Sequence, residues 1–276
     1  MCFTPADGWS NLPEMNLDEK QLPVSEQSFK HRFQHLWIRL LAKTGVCSIL
    51  PQTRKAFWQH EIPTEIEFWD DYIRTRGVRY GDINLTGHYL NPKLPLQKEV
   101  VDLLPDGEGP YLLLDVGAGP FTFLGKKHDR VRFKIVAVDP LADAYAQAIA
   151  KHSVEPLVRT EKLAAECLTE RFQENTFDLA FARNCLDHSY DPEKAILQMV
   201  KVVKPGRYVL LKHIPNEADN EGNHGLHQWN FRETAGDFVI ASKWKSINMT
   251  QRHKAICSIE CSYDDKKWLI TRIRKK

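Results

Sequence analysis

The chain has 276 residues, 27% of them charged and 42% apolar, and carries a formal net charge of +2. That length suits one well-buried domain of ordinary size plus an extension, and the near-neutral balance gives no block of like charge with which to hold nucleic acid. Six cysteines without a C-x-x-C pair exclude a disulfide scaffold and a cysteine zinc site; core packing is expected for Cys257 and Cys261, which share a face if their segment is a strand.

Residues 1–24 are polar and interrupted by Pro5, Pro13 and Pro23, which predicts loose order. They have neither the cationic start nor the apolar core of a signal peptide, and no run approaches the ~20 apolar residues of a membrane span. A cytoplasmic, reduced protein is expected, with the basic residues at 272–276 as a solvated tail.

From Ser25, an N-cap, Phe29, Phe33, Leu36, Trp37, Leu40 and Leu41 recur at helical spacing until Gly45, with bases opposite. The run 25–44 either packs on its own domain or lies peripherally on an anionic membrane. A second helix is predicted from Thr64, where Thr64 and Glu67 form a capping box, with Ile66, Trp69, Tyr72 and Ile73 as its apolar stripe and Gly77 as its stop. Residues 78–95 read as a loop that either folds over a pocket or links this arm to the core. Leu96 to Leu104 reads as a short helix.

From 110 onward strands and helices alternate. Strands are predicted at 111–116, 133–138, 155–160, 177–182 and 207–213, with helices at 120–127, 141–151, 163–172 and 190–203 between them. This implies βαβ units, a parallel sheet and right-handed crossovers. A polar stretch, 215–235, precedes strand-like segments at 237–242, 253–262 and 267–273, the last two joined as a hairpin at 263–266. The domains expected are an N-terminal helical arm and possible lid, 1–95, and an α/β domain, 96–276.

The ligand pocket is legible at the first strand. Leu112, Leu113 and Leu114 run into Asp115, and Gly117-Ala118-Gly119 follows, with Pro120 suited to the first position of a helix. A carboxylate there repels a pyrophosphate, and Thr122 stands where a third glycine would be needed. Asp115 suits instead a cationic group, such as an ammonium. Asp139, followed by Pro140, ends the second strand and can accept hydrogen bonds from both hydroxyls of a ribose or cap the next helix. A ribose and a cation without a phosphate describe S-adenosylmethionine.

Four blocks in order, 113–120, 136–140, 177–184 and 202–211, resemble the class I S-adenosylmethionine-dependent methyltransferases over roughly residues 96–276. The resemblance implies a doubly wound, mostly parallel seven-stranded sheet with one antiparallel strand near the edge and, here, an N-terminal helical extension. It implies that Asp115, Gly117, Ala118 and Gly119 face the methionine moiety, Asp139 and Pro140 the ribose, and Ala165 and Glu166 the adenine. Ala164 departs from the family, replacing an aspartate that would reach the base. Asn184 is a substrate or cofactor contact.

Methyl transfer requires an aligned acceptor and, for a hydroxyl, a group that takes its proton. Two polar clusters past the fourth and fifth strands meet that need. His188 and His227 are the candidate bases, with Asp187 to orient or polarise a neighbour. His213, Asn216, His224, Gln228, Trp229 and Asn230 form a candidate acceptor surface suited to a polyhydroxylated small molecule or glycan, while Trp229 could equally be a core anchor. His188, His213, His224 and His227 are weighed as metal ligands, with a metal-like H-x-x-H spacing at 224 and 227, but no cysteine or well-spaced carboxylate accompanies them, and no metal is expected. The residues 224–231 also resemble a bacterial methyltransferase-like subgroup associated with surface glycans and secondary metabolites. The alternatives are a non-catalytic S-adenosylmethionine-binding module and a nicotinamide dehydrogenase, the latter disfavoured by Asp115 and Thr122.

Overall fold

A computed structural model of the chain describes residues 51–80, 84–243 and 245–276, all within one compact unit. The expectations for 1–24 and for the helix at 25–44 lie outside the described residues. Seven strands form the main sheet, in the order β3-β2-β1-β4-β5-β10-β9. They are β1 (Tyr111–Val116), β2 (Phe133–Asp139), β3 (Thr160–Lys162), β4 (Phe177–Arg183), β5 (Val203–His213), β9 (Cys257–Tyr263) and β10 (Leu269–Lys275). The first five pair in parallel, and β10 is antiparallel to both its neighbours. This is the doubly wound, Rossmann-like sheet expected, with one reversed strand near the edge.

The strands of the centre form because their side chains are apolar on both faces. Leu113, Leu114 and Val116 of β1 and Leu179, Ala180 and Phe181 of β4 are all buried, as a parallel sheet covered by helices requires. One face packs under α4 (Pro192–Val202) through Ile196, Met199 and Val200, and the other meets Leu96, Val100 and Leu124. Cys257 and Cys261 both join the first of these clusters. Since β1 lies between β2 and β4, the chain leaves it in opposite directions across the sheet. The crevice beyond the carboxyl ends of these strands is where an open α/β sheet receives ligands.

Several predicted elements differ. Residues 120–127 are not helical. Phe121 is buried in one apolar cluster and Leu124 in another, on opposite sides of the segment. Its backbone donors go elsewhere: the N–H of Leu124 to Thr122 Oγ1, of Gly125 to Gln97 Oε1, and of Lys126 and Lys127 to the Leu94 carbonyl. With these bonds made, an i to i−4 ladder has nothing to add. Pro120 therefore starts no helix. The strand predicted at 155–160 is displaced to β3, which shares only Thr160 with it; the helix at 163–172 is confined to a 3-10 turn (Ala165–Glu170) and the helix at 96–104 to α2 (Lys98–Val101).

Helix α1 (Pro51–Arg74) begins well before Thr64 and runs through Pro63. Thr64 is not its N-cap. Its hydroxyl donates 2.8 Å to the Glu61 carbonyl one turn back. The C-terminal half of α1 packs Tyr72 and Ile73 with Leu85, Tyr89, Phe121 and Ala148 of α3 (Ala142–Lys151), while Asp70 pairs with Lys151 and His152 at 2.8 and 2.9 Å. Complete burial of Ile73 is worth about 2–3 kcal/mol. Such packing ties α1 to the sheet domain and brings its inner face to the ligand crevice.

The stretch 215–235 contains α5 (Glu217–Asn220) and β6 (Asn230–Thr234). The latter pairs with β7 (Asp237–Ala241), and β7 with β8 (Ser246–Asn248), as a second, antiparallel sheet. A five-residue helix, α6 (Met249–His253), occupies the start of the strand predicted at 253–262. No helix among the described residues is long and apolar enough to cross a membrane.

Candidate active site

A cavity of about 420 Å³ opens at the carboxyl ends of β1, β2 and β4. Asp115, Gly117, Ala118, Gly119, Asp139, Pro140, Ala165, Glu166 and Asn184 all line it, as do His188 and His227. The sequence reading thus converges on one hollow from five separate segments.

On the wall formed by β1 and β2, Asp139 is tied from both sides. Its Oδ2 accepts from the Gly119 N–H at 3.0 Å and its Oδ1 from the Leu141 N–H at 2.8 Å. The carboxylate keeps further lone pairs for a ligand. Burial pushes its pKa up to about 7; the two N–H bonds oppose this, and the charges of Glu65 and Asp115 add to it. Asp115 Oδ2 accepts from Thr122 Oγ1 at 2.5 Å, and burial carries its pKa to about 6. Two buried carboxylates that resist ionising favour a ligand bearing positive charge.

The turn between them needs its glycines. Gly117 has φ +66°, and a Cβ there would stand 2.5 Å from Cys185 Sγ; Gly119 has φ +61°, and a Cβ would meet the Trp69 ring at 3.0 Å. Trp69 is held by its own Nε1–H, which donates 2.8 Å to Glu65 Oε1. Both residues come from α1, and sequence periodicity had marked Trp69 only as part of an apolar stripe.

The opposite wall is built on the loops after β4 and β5. A 3-10 turn (Leu186–His188) carries Asp187 and His188. Asp187 is fully buried, its Oδ2 lies 2.8 Å from His227 Nδ1, and its Oδ1 has no partner. Burial alone would raise its carboxyl, but His188 and His227 hold it below the ordinary value. Burial likewise works against a charged His227, and the Asp187 carboxylate outweighs it to raise the imidazole. His188 Nε2 stands 3.2 Å from His227 Nδ1.

The remaining predicted acceptor residues stand behind this wall or away from it. His213 is buried, accepts from the Leu186 N–H at 3.4 Å, and is pushed down to about 4 by burial, so it stays neutral. Trp229 Nε1–H donates 2.9 Å to the Ser189 carbonyl, and the Gln228 amide spans Asn223 and Gly225. These bonds pin the loop of His227 to that of His188. Asn230 accepts from the Asp219 N–H, and Asn216 takes a left-handed conformation at the start of α5. None of His213, Asn216, His224, Gln228, Trp229 or Asn230 lines the main cavity. Asn184 does, with its Oδ1 accepting from Ile214 N–H. Glu166 Oε1 accepts from Ser189 Oγ at 2.6 Å and the Asp191 N–H at 3.3 Å, bracing the same loop.

Arg183 begins the polar cluster that sequence places after the fourth strand, but sequence gives it no role of its own. Its guanidinium lies over Phe123 at 3.9 Å and Trp268 at 4.4 Å, at the cavity's edge. A cation at the last position of a strand, between aromatics far apart in sequence, leaves no local pattern to read.

The sheet order and the acid-lined glycine turn define a Rossmann-like methyltransferase fold. Residues 114–211 match the family described as Methyltransferase domain. Among curated relatives, phosphoethanolamine N-methyltransferase 2 of Caenorhabditis elegans is 28% identical over 99 residues, 36% of this chain and 23% of that protein. An uncharacterized methyltransferase of Schizosaccharomyces pombe is 31% identical over 110 residues, 36% of this chain and 38% of the relative. The chain therefore spans between about a quarter and two fifths of the length of these relatives. A solved O-methyltransferase family protein from Burkholderia thailandensis superposes at a TM-score of 0.40 with 14% identity, over 60% of this chain and 51% of that one, a likeness too slight to carry weight.

Proposed function

We propose that the protein transfers a methyl group from S-adenosylmethionine to a hydroxyl of a small molecule or glycan. The observation that carries this is the juxtaposition, across one cavity, of the buried Asp115 and Asp139 with the Asp187–His227 pair. A glycine turn and two reluctant carboxylates in one cavity fit a ribose and a positively charged amino acid. Asp139 would hold the ribose, and Asp115 with the Gly117–Gly119 turn the methionine end. Bound there, S-adenosylmethionine supplies an electrophilic methyl on a sulfonium, whose S–CH3 bond breaks with its electron pair left on sulfur as the acceptor oxygen forms the new bond. Asp187 orients His227 through Nδ1, leaving Nε2 to take the acceptor proton.

The aromatic wall from α1, with Trp58, Phe68 and Trp69, serves to exclude water and align the acceptor. The chemistry needs no membrane, and we assign the protein to the cytoplasm. The test is a methylation screen over sugars, phenols and lipids, read by mass spectrometry with and without S-adenosylmethionine. Methylation of no acceptor, with binding of S-adenosylhomocysteine intact, would leave a binding module in its place.

A further inference from the structure

The Asp187–His188–His227 cluster holds more than a hydrogen-bonded pair. Three ligand-type atoms face one another: His227 Nδ1 to Asp187 Oδ2 at 2.8 Å, His188 Nε2 to His227 Nδ1 at 3.2 Å, and His188 Nε2 to Asp187 Oδ2 at 3.5 Å. Protons satisfy this triangle poorly. With both imidazoles neutral, His227 Nδ1 has at most one hydrogen. Given to Asp187 Oδ2, it leaves His188 Nε2–H to converge on the same oxygen from 3.5 Å, with the two donor nitrogens only 3.2 Å apart; withheld, it leaves a nitrogen lone pair against a carboxylate.

A metal ion satisfies all three at once. Ligand atoms about 2.1 Å from a common ion stand roughly 3.0 Å apart at right angles and roughly 3.4 Å apart in a tetrahedron. The observed separations bracket both values. A point about 2.1 Å from each atom lies only ~1 Å out of their plane, so the three occupy one face of the ion and leave the other positions open. Asp187 is fully buried, with Oδ2 turned to the two imidazoles and Oδ1 without a hydrogen-bond partner. Behind His188, Glu65 Oε2 lies 3.7 Å from Nδ1, beyond hydrogen-bond distance but near enough for its charge to favour a ligating imidazole.

We propose that Asp187, His188 and His227 form a site for a divalent first-row transition-metal ion, Zn2+ being the best match to two imidazoles and one carboxylate. The proposal rests on the reading of this wall as the acceptor side. It assigns acceptor activation in the loaded protein to the ion, with His227 as base only when the ion is absent. An acceptor hydroxyl in an open position ionises on the ion and releases its proton to water. The H-x-x-H pair suggested by sequence is not the site, because His224 is exposed and outside the cluster.

The test is calorimetric titration of Zn2+ into the full chain, with and without S-adenosylhomocysteine, joined to the visible spectrum of the Co2+ form. One equivalent should bind with sub-micromolar affinity. His188→Gln and His227→Gln should each weaken it by about 100-fold and remove the Co2+ bands, and Glu65→Gln should weaken it by about 10-fold. His224→Gln should change nothing, and S-adenosylhomocysteine should bind the three histidine variants alike. Absence of Zn2+ binding in the wild type, or binding unmoved by His188→Gln and His227→Gln, overturns the metal site. Either result with S-adenosylhomocysteine still bound leaves the methyl-donor reading intact; loss of that nucleoside from the wild type would sink the donor reading instead.

Discussion

Asp187 and His227 lie 40 residues apart in the chain and meet through a 2.8 Å contact between Oδ2 and Nδ1. The carboxylate is buried, the imidazole faces the cavity, and the loop between them is closed by Trp229. On the proposed function, His227 takes the acceptor proton in the metal-free protein. His227→Gln should then lower kcat by about 100-fold on an acceptor found by the methylation screen. S-adenosylhomocysteine affinity should be unchanged, since the donor wall is untouched. A loss confined to cofactor affinity would contradict the assignment.

Trp229 connects packing to this chemistry. Trp229→Phe removes the donor to the Ser189 carbonyl and leaves a buried acceptor unpaired, at a cost of about 1–3 kcal/mol. The expected result is a lower Tm, read by calorimetry, together with a fall in kcat larger than any change in cofactor affinity. If Tm falls and kcat stays at the wild-type value, the loop does not position His227.

Cofactor affinity should depend on pH through Asp139. Its pKa, raised to about 7 by burial, means that the carboxyl is protonated in the free protein below that pH. Ribose hydroxyls donate to the ionised form, so S-adenosylhomocysteine should bind more weakly as pH falls below about 7, approaching tenfold per unit. Asp139→Asn should bind weakly throughout and show no such slope. The sign for stability is opposite. The folded protein keeps this proton where the unfolded chain, with the ordinary value of 3.8, has lost it, so this group lowers ligand-free stability as pH rises from 3.8 towards 7.

Gly117 tests the turn itself. Gly117→Ala combines a φ of +66° with a Cβ 2.5 Å from Cys185 Sγ. It should destabilise the protein by about 1–3 kcal/mol and weaken cofactor binding. Adding Cys185→Ala should recover the part due to the clash but not the part due to φ, so thermal unfolding of the single and double variants separates the two.

The donor wall was legible in sequence because its signals are local. Leucines running into Asp115, the two glycines, and an apolar strand ending at Asp139 each reside in fewer than ten residues and reflect one strand and its exit. The segment 120–127 was misread because Pro120 suits a helix start, whereas its donors are taken by Gln97, Leu94 and Thr122. Such partners are set by the tertiary fold. Thr64 was misread for a similar reason: a capping-box pattern inside a helix looks like one at its start. The pairing of Asp187 with His227, and the arrival of Glu65 and Trp69 from α1, depend on loops whose spacing carries no periodic mark. Asp187, His188 and His227 were each legible as chemistry-bearing residues, but the distances that bring them together were not.

The most direct test of the donor site is a calorimetric titration of S-adenosylhomocysteine into the wild-type protein and Asp139→Ala at pH 8, where the Asp139 carboxylate is ionised. The account predicts saturable binding of one equivalent to the wild type and at least about tenfold weaker binding to the variant. No binding to the wild type, or equal affinity in both, would contradict it.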